Sequence, residues 1–287
     1  MDRRLFLGSL GALVATPIVA DRLFAQTPAG ARAGGPVPDN GNFPKRDAKV
    51  TRLFKSGDGA PNGLEATSQG VWSGEEITER AILQDWKTGK ILRSIETEAH
   101  NTSGIAAGLG FIWMGSNGRA RQRAVRPTDG NSGALLQVDE KTGKTIKNWP
   151  VQGGQHGLEF DPATNLLWAT DLANNTLVVY DPKSEMKIVK KIPVHYGRAH
   201  GLAKDKGSIW VAHTGDSLIQ RLDENDGHVI EQINVPRATC GEAHGLCMHD
   251  GYLYFADAGV DPAGNNTDSV NAGYIVRIDN TRASNSN

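Results

Sequence analysis

Several things are missing from this chain. Lysine plus arginine (31) nearly balances aspartate plus glutamate (32), leaving a formal net charge of -1. Whole-chain electrostatics therefore give no reason to expect nucleic acid or an anionic membrane as partner. No Gly-x-Ser-x-Gly elbow, phosphate-binding glycine loop or His-Glu-x-x-His helix occurs, which sets aside serine-hydrolase, nucleotide and metzincin chemistry. A 3.6-residue apolar period is also lacking, which excludes helical solenoids. After the first 20 residues no apolar run approaches the ~20 residues that span a bilayer.

Glycine (34) and proline (13) are plentiful although only 38% of residues are hydrophobic. Many turns between short elements suit an all-β protein, and 287 residues suffice for one large core or two small ones. The segment Asp2-Arg3-Arg4-Leu5-Phe6-Leu7, followed by an apolar run to Ala20, resembles the twin-arginine export consensus. That resemblance implies cleavage near Ala25, export of an already folded bacterial protein, and a periplasmic or secreted product with no stable membrane insertion after cleavage. Residues 26–44 have no apolar period and read as a flexible lead-in. Residues 45–287 remain as one domain.

A repeat organises that domain. Gln155-His156-Gly157-Leu158 returns as Ala199-His200-Gly201-Leu202 and as Ala243-His244-Gly245-Leu246, with weaker copies at Asn62-Gly63-Leu64 and Ser103-Gly104-Ile105. The anchor glycines Gly63, Gly104, Gly157, Gly201 and Gly245 are 41, 53, 44 and 44 residues apart. An aromatic follows each anchor in a β-rich run: Trp72, Trp113, Trp168, Trp210 and Tyr254. An aspartate then ends a third strand: Asp85, Asp139, Asp181, Asp223 or Asp279. The longer spacing before Asp139 and Asp279 places insertions in repeats 2 and 5. A turn such as Lys87-Thr88-Gly89-Lys90 leads to a fourth strand. Four strands repeated about every 44 residues are the signature of propeller blades. The fifth repeat lacks a fourth strand, and the surplus strand at Lys49–Lys55 supplies it. The expectation is a five-bladed β-propeller, four strands to a blade, closed by an N-terminal strand. The alternative is six blades, with residues 26–60 as a degenerate one.

In a propeller the anchors ring the channel mouth, so His156, His200 and His244 come from consecutive blades to one place. Neutral imidazole suits zinc, copper or iron, and three protein ligands with an open position is the usual catalytic zinc arrangement. Packing against the neighbouring blade is the competing explanation for a histidine before each glycine. The repeated His-Gly-Leu, short turn and aromatic strand resemble NHL-type propellers, in particular peptidyl-hydroxyglycine amidating lyases, with streptogramin lyases and gluconolactonase-like propellers sharing the general pattern. By that resemblance the three histidines would hold zinc, although five visible repeats depart from the amidating lyases.

Other polar residues fall on the same predicted face. Asp171, His213 and Asp257 end second strands and are candidate proton acceptors, and short polar residues also cap turns at such points. His100 and His195 precede anchors and are candidates for a fourth ligand or a shuttle. The repeat-2 insertion carries Arg119, Arg121, Arg123 and Arg126. Overhanging the mouth, with Arg121 as the representative contact, they would favour a carboxylate or phosphate on a substrate; a solvated basic loop is the other reading. Cys240 and Cys247 bracket His244 and are expected to form a disulfide, the alternative being a metal shared by Cys240, Glu242 and His244. The functional expectation is an exported, monomeric, metal-dependent lyase or hydrolase acting on a small anionic molecule, most simply with zinc. A non-enzymatic propeller binding a ligand or protein on the same face is the alternative.

Overall fold

The chain builds five separate β-sheets in sequence order. The computed structural model describes residues 41–260 and 268–282. The expected export segment, the lead-in up to residue 40 and part of the repeat-5 insertion lie outside the described residues.

Two short strands come first, β1 (Lys45–Asp47) and β2 (Val50–Lys55). Blade 1 is β3 (Pro61–Thr67), β4 (Gly70–Glu75), β5 (Arg80–Gln84) and β6 (Ile91–Glu96). Blade 2 is β7 (Thr102–Gly108), β8 (Phe111–Asn117), β9 (Gly133–Asp139) and β10 (Thr145–Val151). Blade 3 is β11 (Leu158–Asp161), β12 (Leu166–Asp171), β13 (Thr176–Asp181) and β14 (Lys187–Pro193). Blade 4 is β15 (Ala199–Asp205), β16 (Ser208–His213), β17 (Leu218–Asp223) and β18 (Val229–Asn234). Blade 5 contains β19 (Leu246–His249), β20 (Tyr252–Ala256) and β21 (Tyr274–Ile278).

β2 is the fourth strand of blade 5, antiparallel to β21 with Val50 opposite Ile278. The ring therefore closes with five blades, and the six-bladed alternative falls. Residues 45–47 form no blade of their own: β1 adds to blade 4 as a fifth strand, parallel to β18. It covers an edge that would otherwise expose unpaired backbone.

The core lies between blades. Each second-strand aromatic predicted from the repeat is buried, and the residue after each anchor glycine, Leu64, Ile105, Leu158, Leu202 or Leu246, is buried as well. Leu202, for example, shares a buried cluster with Trp168 and Val179 of blade 3, and Ile105 one with Trp72 and Leu83 of blade 1. Full burial of such a side chain contributes roughly 1.5–3 kcal/mol, repeated at every interface. The turns after the third strands are fixed by their aspartates. Asp85 Oδ1 accepts from Thr88 N (2.9 Å) and Thr88 Oγ1 (2.7 Å), and Asp139 does the same with Thr142.

The anchor glycines are required by close approach. A methyl on Gly63 would lie 2.7 Å from Ile105 N, one on Gly201 2.5 Å from Leu246 N, and one on Gly245 2.5 Å from Leu64 N. On Gly104 and Gly157 it would strike the carbonyl oxygens of His156 and His200. Each inner strand thus nests against the next around the axis, and the contact from Gly245 back to blade 1 completes the circle.

The expected disulfide is absent. Cys240 and Cys247 are free and buried. Strand alternation separates them: Leu246 faces blade 4 in the cluster that also holds Cys240, while Cys247 faces blade 1 beside Leu64 and Val71.

Candidate functional site

The glycine circle sets the three histidines side by side. The rings of His156 and His200 have centroids 4.5 Å apart at 73°, and those of His200 and His244 4.8 Å apart at 84°. The three residues are only 7%, 1% and 3% exposed. At the two equivalent positions stand Asn62 and Ser103, also buried, with Asn62 Nδ2 donating to Thr102 O at 3.2 Å and to Ser103 Oγ at 3.4 Å.

Local contacts hold the row. Thr170 Oγ1 accepts from His156 N and Gly157 N, at 3.2 and 3.0 Å. His244 Nδ1 lies 3.0 Å from Glu242 O and 3.4 Å from Ala258 N. The shorter contact requires a proton on Nδ1 and leaves the Nε2 lone pair free. Glu242 N in turn donates to Asp257 Oδ2 at 3.0 Å, and Gly259 N donates to Asp257 Oδ1 at 3.1 Å. Asp257 thereby orients His244 through the backbone of Glu242, the outer-shell arrangement typical of ligand histidines. By contrast, Nδ1 of His156 and of His200 is buried without a hydrogen-bond partner among the described residues.

Burial dominates the electrostatics. It pushes His156 down to about 3, helped by the charges of Arg198, His244 and Arg121. His244 is lowered to about 3 by burial and then Arg198, and His200 falls well below its ordinary value by burial and then its neighbouring imidazoles. All three are neutral at neutral pH, the form that ligates a metal. Glu242, by contrast, is raised by burial, with Arg237 and Arg198 opposing.

The donor set suits a divalent transition metal: three neutral imidazoles, one with its tautomer fixed and two with an orphaned buried nitrogen. Spacing is less favourable. Among the described residues, the trio whose donor atoms all lie within 4.8 Å of one another is Asp223, Asp226 and His228, on a mostly exposed turn. The axial histidines meet pairwise, so a shared ion requires the outer rings to turn.

The remaining predicted residues take different places. Asp171 caps its own turn, accepting from Asn174 N (3.2 Å) and Nδ2 (2.8 Å), and lines a groove of about 370 Å³ between blades 2 and 3 that Gln155 also lines. His213 is fully buried beside Tyr196, with ring centroids 5.4 Å apart. Neither of its nitrogens meets hydrogen-bond geometry, although the Gly197 backbone favours protonation slightly; burial still lowers the ring to about 3. That makes it a weak base at neutral pH. His195 Nε2 turns outward to Gly227 O at 2.9 Å, and His100 Nε2 sits 3.4 Å from Ser132 O beneath the repeat-2 insertion. Neither joins the row.

The arginine loop divides in two. Arg123 holds Asp129 through both carboxylate oxygens (2.7 and 2.8 Å) and pairs with buried Glu79, while Arg126 reaches Glu79 at 3.0 Å and Thr97 O at 2.9 Å. These two staple the insertion to blade 1. Arg119 and Arg121 are exposed, and the charge of Arg121 reaches His156. Sequence reasoning missed Arg198, half-buried two residues before His200, whose charge acts on all three rings.

Residues 78–245, more than half the chain, match the SMP-30/Gluconolactonase/LRE-like region. The chain belongs to this family. No curated protein sequence matches. Among solved structures, this SMP-30/gluconolactonase/LRE-like chain is similar in fold to the glutaminyl cyclase of Myxococcus xanthus, at 12% identity and TM-score 0.60, with 82% of this chain and 97% of that one covered. It also matches virginiamycin B lyase of Staphylococcus aureus at 19% identity and TM-score 0.44, covering 78% of this chain and 67% of that one. Identities this low speak to fold alone.

Proposed function

We propose that this chain is an exported, metal-dependent lyase or hydrolase acting on a small anionic substrate at the axial histidine row. One observation carries the reading: three buried, neutral imidazoles from consecutive blades stand in ring contact, two with an Nδ1 that no described residue satisfies. An orphaned buried polar atom costs about 1–3 kcal/mol unless a water or an ion meets it. His156, His200 and His244 would hold the ion, zinc first and iron or copper as alternatives. A bound divalent metal supplies Lewis acidity toward a substrate oxygen.

The protein supplies the rest. Asp257 and the Glu242 carbonyl keep His244 in the ligating tautomer. Glu242, a half-buried carboxyl group whose pKa burial raises above the ordinary carboxylate value, is the proposed proton carrier in preference to His213, which burial lowers, and to the turn-capping Asp171. Arg121 and Arg198 give the rim its preference for anions.

A second reading, a non-catalytic propeller that binds a ligand on this face, is favoured by the spread of the three donor nitrogens. Metal analysis of the purified protein and of the double variant His156→Ala/His200→Ala separates the two. The enzyme reading expects one divalent ion per chain, lost in the variant; metal-free wild-type protein that gains no zinc on incubation would overturn it.

A further inference from the structure

On the side of the ring that carries the turns after the third strands, four of the five seams between blades are crossed by an ion pair of lysine or arginine with a carboxylate. Arg93 meets Glu140 between blades 1 and 2 (3.0 Å), and Lys147 meets Glu185 between blades 2 and 3 (2.5 Å). Lys204 lies 3.9 Å from Asp161 between blades 3 and 4, and Arg282 lies 3.2 Å from Asp205 between blades 4 and 5. At the fifth seam, where blade 5 closes on blade 1, no such pair crosses on this side among the described residues. A stack of rings takes its place. His249, the last residue of β19, lies flat on Trp86 in the turn after β5, with ring centroids 4.1 Å apart and planes within 3° of parallel. Tyr254 of β20 packs beside both, 5.0 Å from Trp86 and 6.2 Å from His249, and Trp86 Nε1 donates to Thr67 O at 3.3 Å.

We infer that this stack is a proton-operated stitch. With His249 protonated it grips the closing seam as the ion pairs grip the others, and with His249 neutral it grips less. An imidazolium is a flat cation, and the face of tryptophan is the best aromatic partner for a cation. Imidazole is also the side chain that ordinarily changes its charge between pH 5 and 8. The surrounding groups suit a cation here. Asp250 Oδ2 lies 3.4 Å from His249 Nε2. Tyr252, opposite His249 in the ladder, has the Arg277 guanidinium 4.9 Å over its own ring, and Arg277 is tied to Asp279 at 2.8 Å. Beside Trp86, Asp85 caps its turn through Thr88 and Lys87 is exposed. Cys247, two residues back along β19, is buried. The stitch does not depend on a metal at the axial row, but it bears on that row: β19 begins two residues after His244, so the stack secures the far end of the strand that this histidine precedes.

The test is a double-mutant cycle on the full-length protein, with wild type, His249→Gln, Trp86→Leu and the double variant melted at intervals from pH 8 to pH 5. The coupling between the two positions, read as the non-additive part of the Tm losses, should grow as pH falls and be roughly 2–4 °C larger at pH 5 than at pH 8. Because the protonated ring is the one held more tightly in the folded state, its contribution is present at low pH and lost as pH rises. A coupling that stays flat, or grows toward pH 8, would overturn the stitch. Asp250→Asn separates the stack from the neighbouring carboxylate: the pH-dependent coupling should survive this change, and its disappearance would overturn the assignment to Trp86. If Trp86→Leu does not fold, fluorescence of the native protein decides. A protonated imidazole quenches an indole stacked on it, so wild-type emission should fall below that of His249→Gln as the pH drops, and parallel curves would overturn the proposal.

Discussion

Replacing Gly157 by alanine should damage this protein far more than the loss of one hydrogen atom suggests. The added methyl would overlap the His200 carbonyl oxygen and stand 3.0 Å from both His200 C and Leu202 Cγ. The obstacle is the backbone of the neighbouring inner strand, which cannot turn aside as a side chain can. In a closed ring, widening one interface must be absorbed by the others. Overpacking of a tight core costs 1–3 kcal/mol and sometimes more, and a backbone obstacle belongs at the upper end, about 3 kcal/mol. For a domain of this size each kcal/mol moves the midpoint by roughly 2–4 °C, so Tm should fall by about 6–12 °C. Two other glycines separate contact from conformation. Gly110 has open space but φ of +80°, and Gly215 has open space with no positive φ. Gly110→Ala should cost about 1 kcal/mol from backbone strain alone, and Gly215→Ala should be neutral or stabilise by about 0.4–1 kcal/mol. Urea denaturation of the three variants in parallel gives the ranking. If Gly157→Ala loses no more than Gly110→Ala, the ring of close contacts does not limit stability as argued.

Two further outcomes follow from buried groups. Cys240 and Cys247 should be unreactive toward a thiol reagent in the native protein and give two thiols per chain after unfolding, with the same Tm with or without reductant; one disulfide per chain would contradict the separation across β19. Glu159 is pushed up to about 8 by burial, with Lys204 opposing. A carboxyl group with a raised folded pKa contributes stability below its unfolded value of 4.5 and loses it as pH rises toward 8. Glu159→Gln should therefore gain on wild type in Tm steadily between pH 5 and pH 8, and a constant difference across that range would show that no such proton is held.

The blades were legible because the chain repeats its own solution. Five glycines at near-regular spacing, each followed by a buried aromatic and a turn-forming aspartate, place every strand, and the one strand left over at the start has a single vacancy to fill. β1 was not legible, since three residues carry no periodicity and its pairing is with a strand nearly 200 positions away. The histidine row followed from the repeat. Its immediate surroundings did not, because they depend on residues outside any motif. Glu79 lies in a tight turn 44 residues before Arg123, and no spacing rule links that acid to the arginine loop it neutralises. Arg198 is half-buried without a hydrogen bond or ion pair among the described residues, which a sequence cannot display. The only local signal was its position two residues ahead of an anchor histidine. The disulfide expectation used compartment and parity, and neither says which face of a strand a cysteine occupies.

The axial histidine row is where a metal should bind. Crystals of the protein grown with one equivalent of zinc, and measured on both sides of the zinc absorption edge, locate it directly. The expected anomalous peak lies among His156, His200 and His244, with ring nitrogens about 2.0–2.1 Å from it. A peak at Asp223, Asp226 and His228 instead, or none on the axis, would contradict the claim.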